Sequence, residues 1–172
     1  MHFIPTYVYV LFCVLVYLGI RRSFARTTRP ERLLIFPFVF LAFGAASLDR
    51  AFPGADASAY ALAFATLAAG AGIGWLHASR WRLQFNVSDA RIKVRVPGDP
   101  SLLVTLMLAF AIRFIEQYAI AIHAAWSKTG SFEMISFTAW GLLAGMPLGR
   151  ATNVVARALA ARRDVDGVPT FD

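Results

Sequence analysis

Residues 79–100, SRWRLQFNVSDARIKVRVPGDP, separate two long apolar runs and hold five of the chain's seventeen Lys and Arg residues: Arg80, Arg82, Arg91, Lys93 and Arg95. Two further clusters stand in the same relation to apolar sequence. Arg21, Arg22, Arg26, Arg29 and Arg32 follow the first run, and Arg150, Arg157, Arg162 and Arg163 follow the last. Only Arg50 and Lys128 fall in the remaining connections, and Arg113 lies inside an apolar run. Basic loops alternating with nearly charge-balanced ones are the pattern of a multi-pass membrane protein, whose short cytoplasmic loops retain Lys and Arg.

The same stretch has an internal period. Apolar and polar residues alternate from Arg82 to Val87 and again from Arg91 to Val96, with the turn-prone Ser88-Asp89-Ala90 between them. Alternation on both sides of a short polar turn predicts a β-hairpin over about 82–96. One face would carry Leu83, Phe85, Val87, Ile92, Val94 and Val96. Two strands alone are marginal in water, so this face should pack on helix ends or the membrane surface. Pro97-Gly98-Asp99-Pro100 closes the loop, and Ser101 suits a helix start.

Composition agrees with a lipid environment. Of the 172 residues, 58% are hydrophobic and 16% charged, against roughly 45–50% and about 25% for soluble domains. Five runs approach the ~20 apolar residues needed to cross a bilayer as a helix. They span 3–20, 33–49, 58–78, 101–125 and 132–150, with Pro5 in a first turn and Pro37 interrupting the second. The expected fold is therefore an all-α bundle of five transmembrane helices, residues 1–163, with a disordered tail over 164–172. Its N-terminus is outside and its C-terminus inside. Residues 21–32, 79–100 and 151–172 are then cytoplasmic, and 50–57 and 126–131 external. No basic segment or small-residue cleavage site marks a secretory signal. The formal charge of +7 lies beside apolar spans, which suits anionic lipid head groups rather than nucleic acid.

One span carries ionisable residues. In Ala111-Ile112-Arg113-Phe114-Ile115-Glu116-Gln117-Tyr118, Glu116 and Gln117 follow Arg113 at i+3 and i+4, on one helical face. A charge in the hydrocarbon costs at least about 2.5–3.5 kcal/mol, so such residues face the interior and often mark a site. Arg113, Glu116 and Gln117 are thus a candidate intramembrane polar site, or else an ion pair that fixes helix packing. Two other spans carry small-residue ridges: Gly141, Gly145 and Gly149 in the fifth, and Gly70 and Gly74 in the third, between Thr66 and Ala78. At this spacing helix backbones can approach closely. The run from Gly70 to Gly74 follows no strand and lacks the GK[ST] ending of a phosphate loop.

Other chemistry is poorly represented. The single cysteine, Cys13, has no partner for a disulfide or CxxC pair. On this topology His2 and His123 fall near the outer boundary and His77 near the inner one. Only His2, close to the start of the chain, could pair with His123, which disfavours a haem or metal centre, and no cofactor is expected. Trp75 and Trp81 at one boundary, with Tyr7, Tyr60 and Trp126 at the other, suit interfacial anchoring. No hydrolase or metalloprotease signature is present.

The chain resembles an uncharacterised family of proteobacterial inner-membrane proteins, grouped as a domain of unknown function and loosely similar to CcdC-type membrane proteins. The resemblance lies in the loop ending Val94-Arg95-Val96-Pro97-Gly98-Asp99-Pro100-Ser101-Leu102-Leu103, in Arg113-Phe114, and in Gly141, Gly145 and Gly149-Arg150. It covers residues up to about 155 and implies a small polytopic bundle in the bacterial cytoplasmic membrane. It supplies no reaction, ligand or catalytic residue. CcdC-type proteins are associated with cytochrome c maturation, but without a thiol pair that role does not transfer. The leading expectation is a non-enzymatic protein acting by helix association, as a homo-oligomer or with a membrane complex. The alternative is a small transporter or ligand-binding protein that uses Arg113, Glu116 and Gln117.

Overall fold

The computed structural model describes residues 6–22, 24, 26–28, 30–88, 91–96, 98 and 100–166. Its elements are α1 (Thr6–Arg22), β1 (Arg26–Thr28), α2 (Pro30–Ala51), α3 (Ala57–Ser79), β2 (Gln84–Ser88), β3 (Arg91–Val96), α4 (Ser101–Ala121), a 3₁₀ turn (Ala125–Lys128) and α5 (Gly130–Asp166). Among these residues, three helical segments are long and apolar enough to cross a membrane: Arg32–Ala51, Ala57–Ser79 and Ser101–Ala121. Helix α1 offers the shorter apolar stretch Phe12–Arg21.

Several boundaries differ from those expected. Pro37 does not break the second helix; it is buried within a 22-residue α2 that starts on Pro30, where proline costs little. Helix α4 ends at Ala121 rather than 125 because the chain turns left-handed at His123, φ 51°. The N–H of His123 donates to the Ile120 carbonyl and that of Ala124 to Ala119, the bonding of a Schellman helix end. Helix α5, with Pro147 inside it, ends at Asp166 and so takes in residues 164–166 of the expected tail. Residues 167–172, His2 and Pro5 lie outside the described residues, as do Asp89 and Ala90 of the hairpin turn.

Glycine decides which helices pair. Helices α3 and α5 share the most extensive contact in the molecule. A Cβ built on Gly141 would lie 2.4 Å from the Ala63 carbonyl oxygen, one on Gly145 2.3 Å from that of Leu67, and one on Gly149 1.9 Å from that of Ala71. The relation is reciprocal, with Gly70 meeting the Leu142 carbonyl and Gly74 that of Met146 at 2.3 and 2.1 Å. Residue numbers rise together on both sides, so the two helices are parallel. Neither backbone can swing aside to admit a side chain, so the separation itself requires hydrogen at these Cα atoms. Dispersion and Cα–H···O contacts act at such distances. Gly72, on the other face, would meet nothing within 4 Å. Helices α2 and α4 pack on other sides of α5, and α1 packs chiefly on α4, where Gly19 meets Leu103.

At one end of the bundle, β2 and β3 pair antiparallel with Phe85 opposite Val94. A third strand, β1, joins the other edge of β3 with Thr28 opposite Val94, giving the order β1-β3-β2. The sheet gathers residues from all three basic stretches at this end. Its hydrophobic centre is Val94, fully buried with Val154 and Ala158 of α5 and flanked by Leu33, Trp81, Leu83 and Val96. Burying one such side chain contributes roughly 1.5–3 kcal/mol. Arg157 fastens the same corner by donating to the Ala78 and Trp81 carbonyls, at 3.4 and 3.0 Å, which ties α5 to the chain where it leaves α3. The opposite end is closed by Leu48, Ala59, Ala63 and Phe137, with Phe52 and Trp140 against them.

Two substitutions test this framework. Val94→Asp sets a carboxylate among Val154 and Ala158, and limited proteolysis should then cut within 84–96 while the helical core survives. Gly145→Leu drives a side chain into the α3 backbone, where overpacking costs at least about 1–3 kcal/mol. Detergent-purified protein should lose its monodisperse elution peak, whereas Gly72→Leu should elute as the parent does.

Candidate functional site

Between α2, α4 and α5 lies a partly open cavity of about 410 Å³. Its walls are aromatic: Phe40 and Phe43 from α2, Phe110 from α4 and Trp140 from α5. Leu106, Ala109 and Ile112 of α4 and Leu143 of α5 add aliphatic surface, and Arg113 and Glu116 of α4 are the charged members of the lining. The cavity exists because α2 and α4 both rest on α5 yet make little contact with each other. Gly44 sets one wall, since a Cβ there would lie 2.1 Å from Trp140 Nε1. The Nε1 edge of the indole thus meets the α2 backbone, and its N–H is buried with no acceptor among the described residues.

The polar pair is tied on both sides. Arg113 donates from Nη1 to Glu116 Oε2 at 2.6 Å and from Nη2 to the Ser47 hydroxyl of α2. This second bond bridges the gap between α4 and α2. The Glu116 side chain is 6% exposed and that of Arg113 25%, so the carboxylate is enclosed while the arginine side chain stays partly open. Ion pairing of this kind answers the cost of placing either charge in an apolar setting, provided that both partners are present. The two bonds use two of the five guanidinium N–H donors.

Gln117 does not share this site: it is exposed and absent from the cavity lining. Adjacent residues on an α-helix are turned by about 100°, and the cavity lies on the Glu116 side of Arg113. Ser47, Gly44 and Trp140 had no distinguishing signal in the sequence, because each reads as an ordinary residue of an apolar helix. The glycines named from the sequence are elsewhere. Gly70, Gly74, Gly141, Gly145 and Gly149 all lie in the α3–α5 contact. Among the described residues no group of three His, Cys, Asp or Glu side chains is placed to hold a metal ion.

A second polar cluster lies nearer the sheet. Arg150, 9% exposed, donates to the Thr105 hydroxyl at 3.3 Å, and Asn153 is buried one turn further on. This bond links α5 to the N-terminal part of α4, as Arg113 links α4 to α2.

Removing one member of the Arg113–Glu116 pair strands the other. Arg113→Leu should lower stability by about 3–5 kcal/mol, read as a fall in the thermal midpoint of the detergent-solubilised protein. Adding Glu116→Leu to it should restore most of the loss, because two apolar side chains can replace a buried pair.

No protein-family model matches the chain, and neither a curated protein nor a solved structure is detectably similar to it.

Proposed function

We propose that this protein is a membrane-embedded binding protein whose α2–α4–α5 cavity holds a lipid-soluble ligand. One observation carries the reading: an ion pair lines a cavity that is otherwise apolar and aromatic. Ligand pockets have this character, with a volume of about 300–1,000 Å³, mostly apolar walls and a few placed polar groups. Ionisable side chains in a membrane span are costly enough that a site is the default reading. A purely structural ion pair has no need of an adjoining void.

The topology we propose is the five-span one, with the N-terminus outside and the sheet in the cytoplasm, in a bacterial inner membrane. Its support is the gathering of all three basic stretches at the sheet end, while Arg50 and Lys128 belong to the opposite connections. Anionic head groups then face the basic end. Association with a second copy or another membrane protein would need surfaces other than the glycine ridges, because these ridges face each other inside the chain. Ligand binding is therefore the better supported role.

Native mass spectrometry of protein extracted in mild detergent should show a retained small amphiphile. Ala109→Phe, which fills the cavity from α4, should release it while helical circular dichroism is unchanged. Protein that carries no adduct before or after the substitution would overturn the reading.

A further inference from the structure

The chemistry of the cavity narrows its occupant, granted the binding role proposed above. We infer that the ligand is a neutral, flat ring bearing carbonyl oxygens on a lipid-soluble tail, that is, a molecule of the quinone class. Three properties of the walls lead there, and each excludes a different competitor.

Charge comes first. Glu116 lies 2.6 Å from Arg113 and is almost fully enclosed, so the pair presents no net positive charge to an arriving molecule. A fatty-acid carboxylate or a phosphate head group would bring a second anion beside Glu116, which is unfavourable where few solvent dipoles screen it. A neutral carbonyl meets no such repulsion. It can accept a hydrogen bond from the donors of Arg113 that Glu116 and Ser47 leave unused.

Shape comes second. Phe40, Phe43, Phe110 and Trp140 approach the cavity from three helices, and aromatic rings favour offset or edge-on packing with another ring. A saturated acyl chain can pack on Leu106, Ile112 and Leu143 of the same lining, but it gains nothing specific from the four rings. Size comes third. A volume of about 410 Å³ exceeds what a single ring fills, which leaves room for the start of a tail, and the partly open side of the cavity gives that tail an exit. A hydrophobic cation gains no charge pairing either, because the Glu116 carboxylate is already taken up by Arg113.

The test uses full-length protein in neutral-detergent micelles, with decylubiquinone and oleate as probes and tryptophan fluorescence as readout. Decylubiquinone should quench saturably at micromolar concentration, and a fivefold excess of oleate should not displace it. Saturable quenching should vanish in Trp140→Phe if the reporter is the cavity indole. The Arg113→Leu, Glu116→Leu double variant, which keeps an apolar cavity, should bind decylubiquinone at least tenfold more weakly, as loss of a well-placed hydrogen bond predicts. Should oleate bind saturably while decylubiquinone does not, the quinone assignment falls and the cavity reading stands. Equal affinity in the parent and the double variant would also remove the assignment, by showing that the polar pair plays no part. If neither probe binds and no amphiphile is retained on extraction, both readings fall together.

Discussion

The closeness of two parallel helix backbones governs this molecule. Where α3 and α5 run side by side, carbonyl oxygens of each helix occupy the space that a β-carbon of the other would need. In the membrane setting we propose there is little hydrophobic drive to bring helices together, so their association would rest on dispersion, weak hydrogen bonds and shape. Five glycines supply the shape. With that seam closed, α5 becomes the post on which the other elements are hung: α2 and α4 flank it, and the sheet rests on its far end.

The cavity follows from this arrangement. Two helices resting on different sides of a post leave a wedge between themselves, and bulky aromatic residues widen it. A hydrogen bond from Arg113 of α4 to Ser47 of α2 ties the two sides of the wedge together. A guanidinium can serve as both tie and donor because its planar fork offers more N–H groups than any one partner can use. Chemistry and architecture therefore meet in the same side chain.

Much of this was legible in the residue order, for definite reasons. Alternation along β3 is strict, so Val94 could be assigned to an apolar face. The basic clusters mark segments that the sheet then draws to one end. Glycine spacing identifies two smooth helix faces, yet it cannot say that each is the other's partner. Strand β1 is too short for any period to show. Left-handed His123 gives no warning, since glycine or asparagine is the usual residue at such a helix end. Spacing alone groups Gln117 with Arg113, yet one position beyond Glu116 on the helix is enough to carry it out of the site. Ser47 and Trp140 emerge only when three helices are seen together.

The two prolines within helices have a mechanical meaning. Proline has no N–H to give the carbonyl four residues earlier. Pro37 thus removes the helical donor of Leu33, beneath the sheet, and Pro147 that of Leu143, in the cavity wall. Each helix has a point of low bending stiffness there, which is where helices kink. In α5 this point stands between the aromatic walls and the strands, so the long post is two stiff rods in series joined by a compliant link.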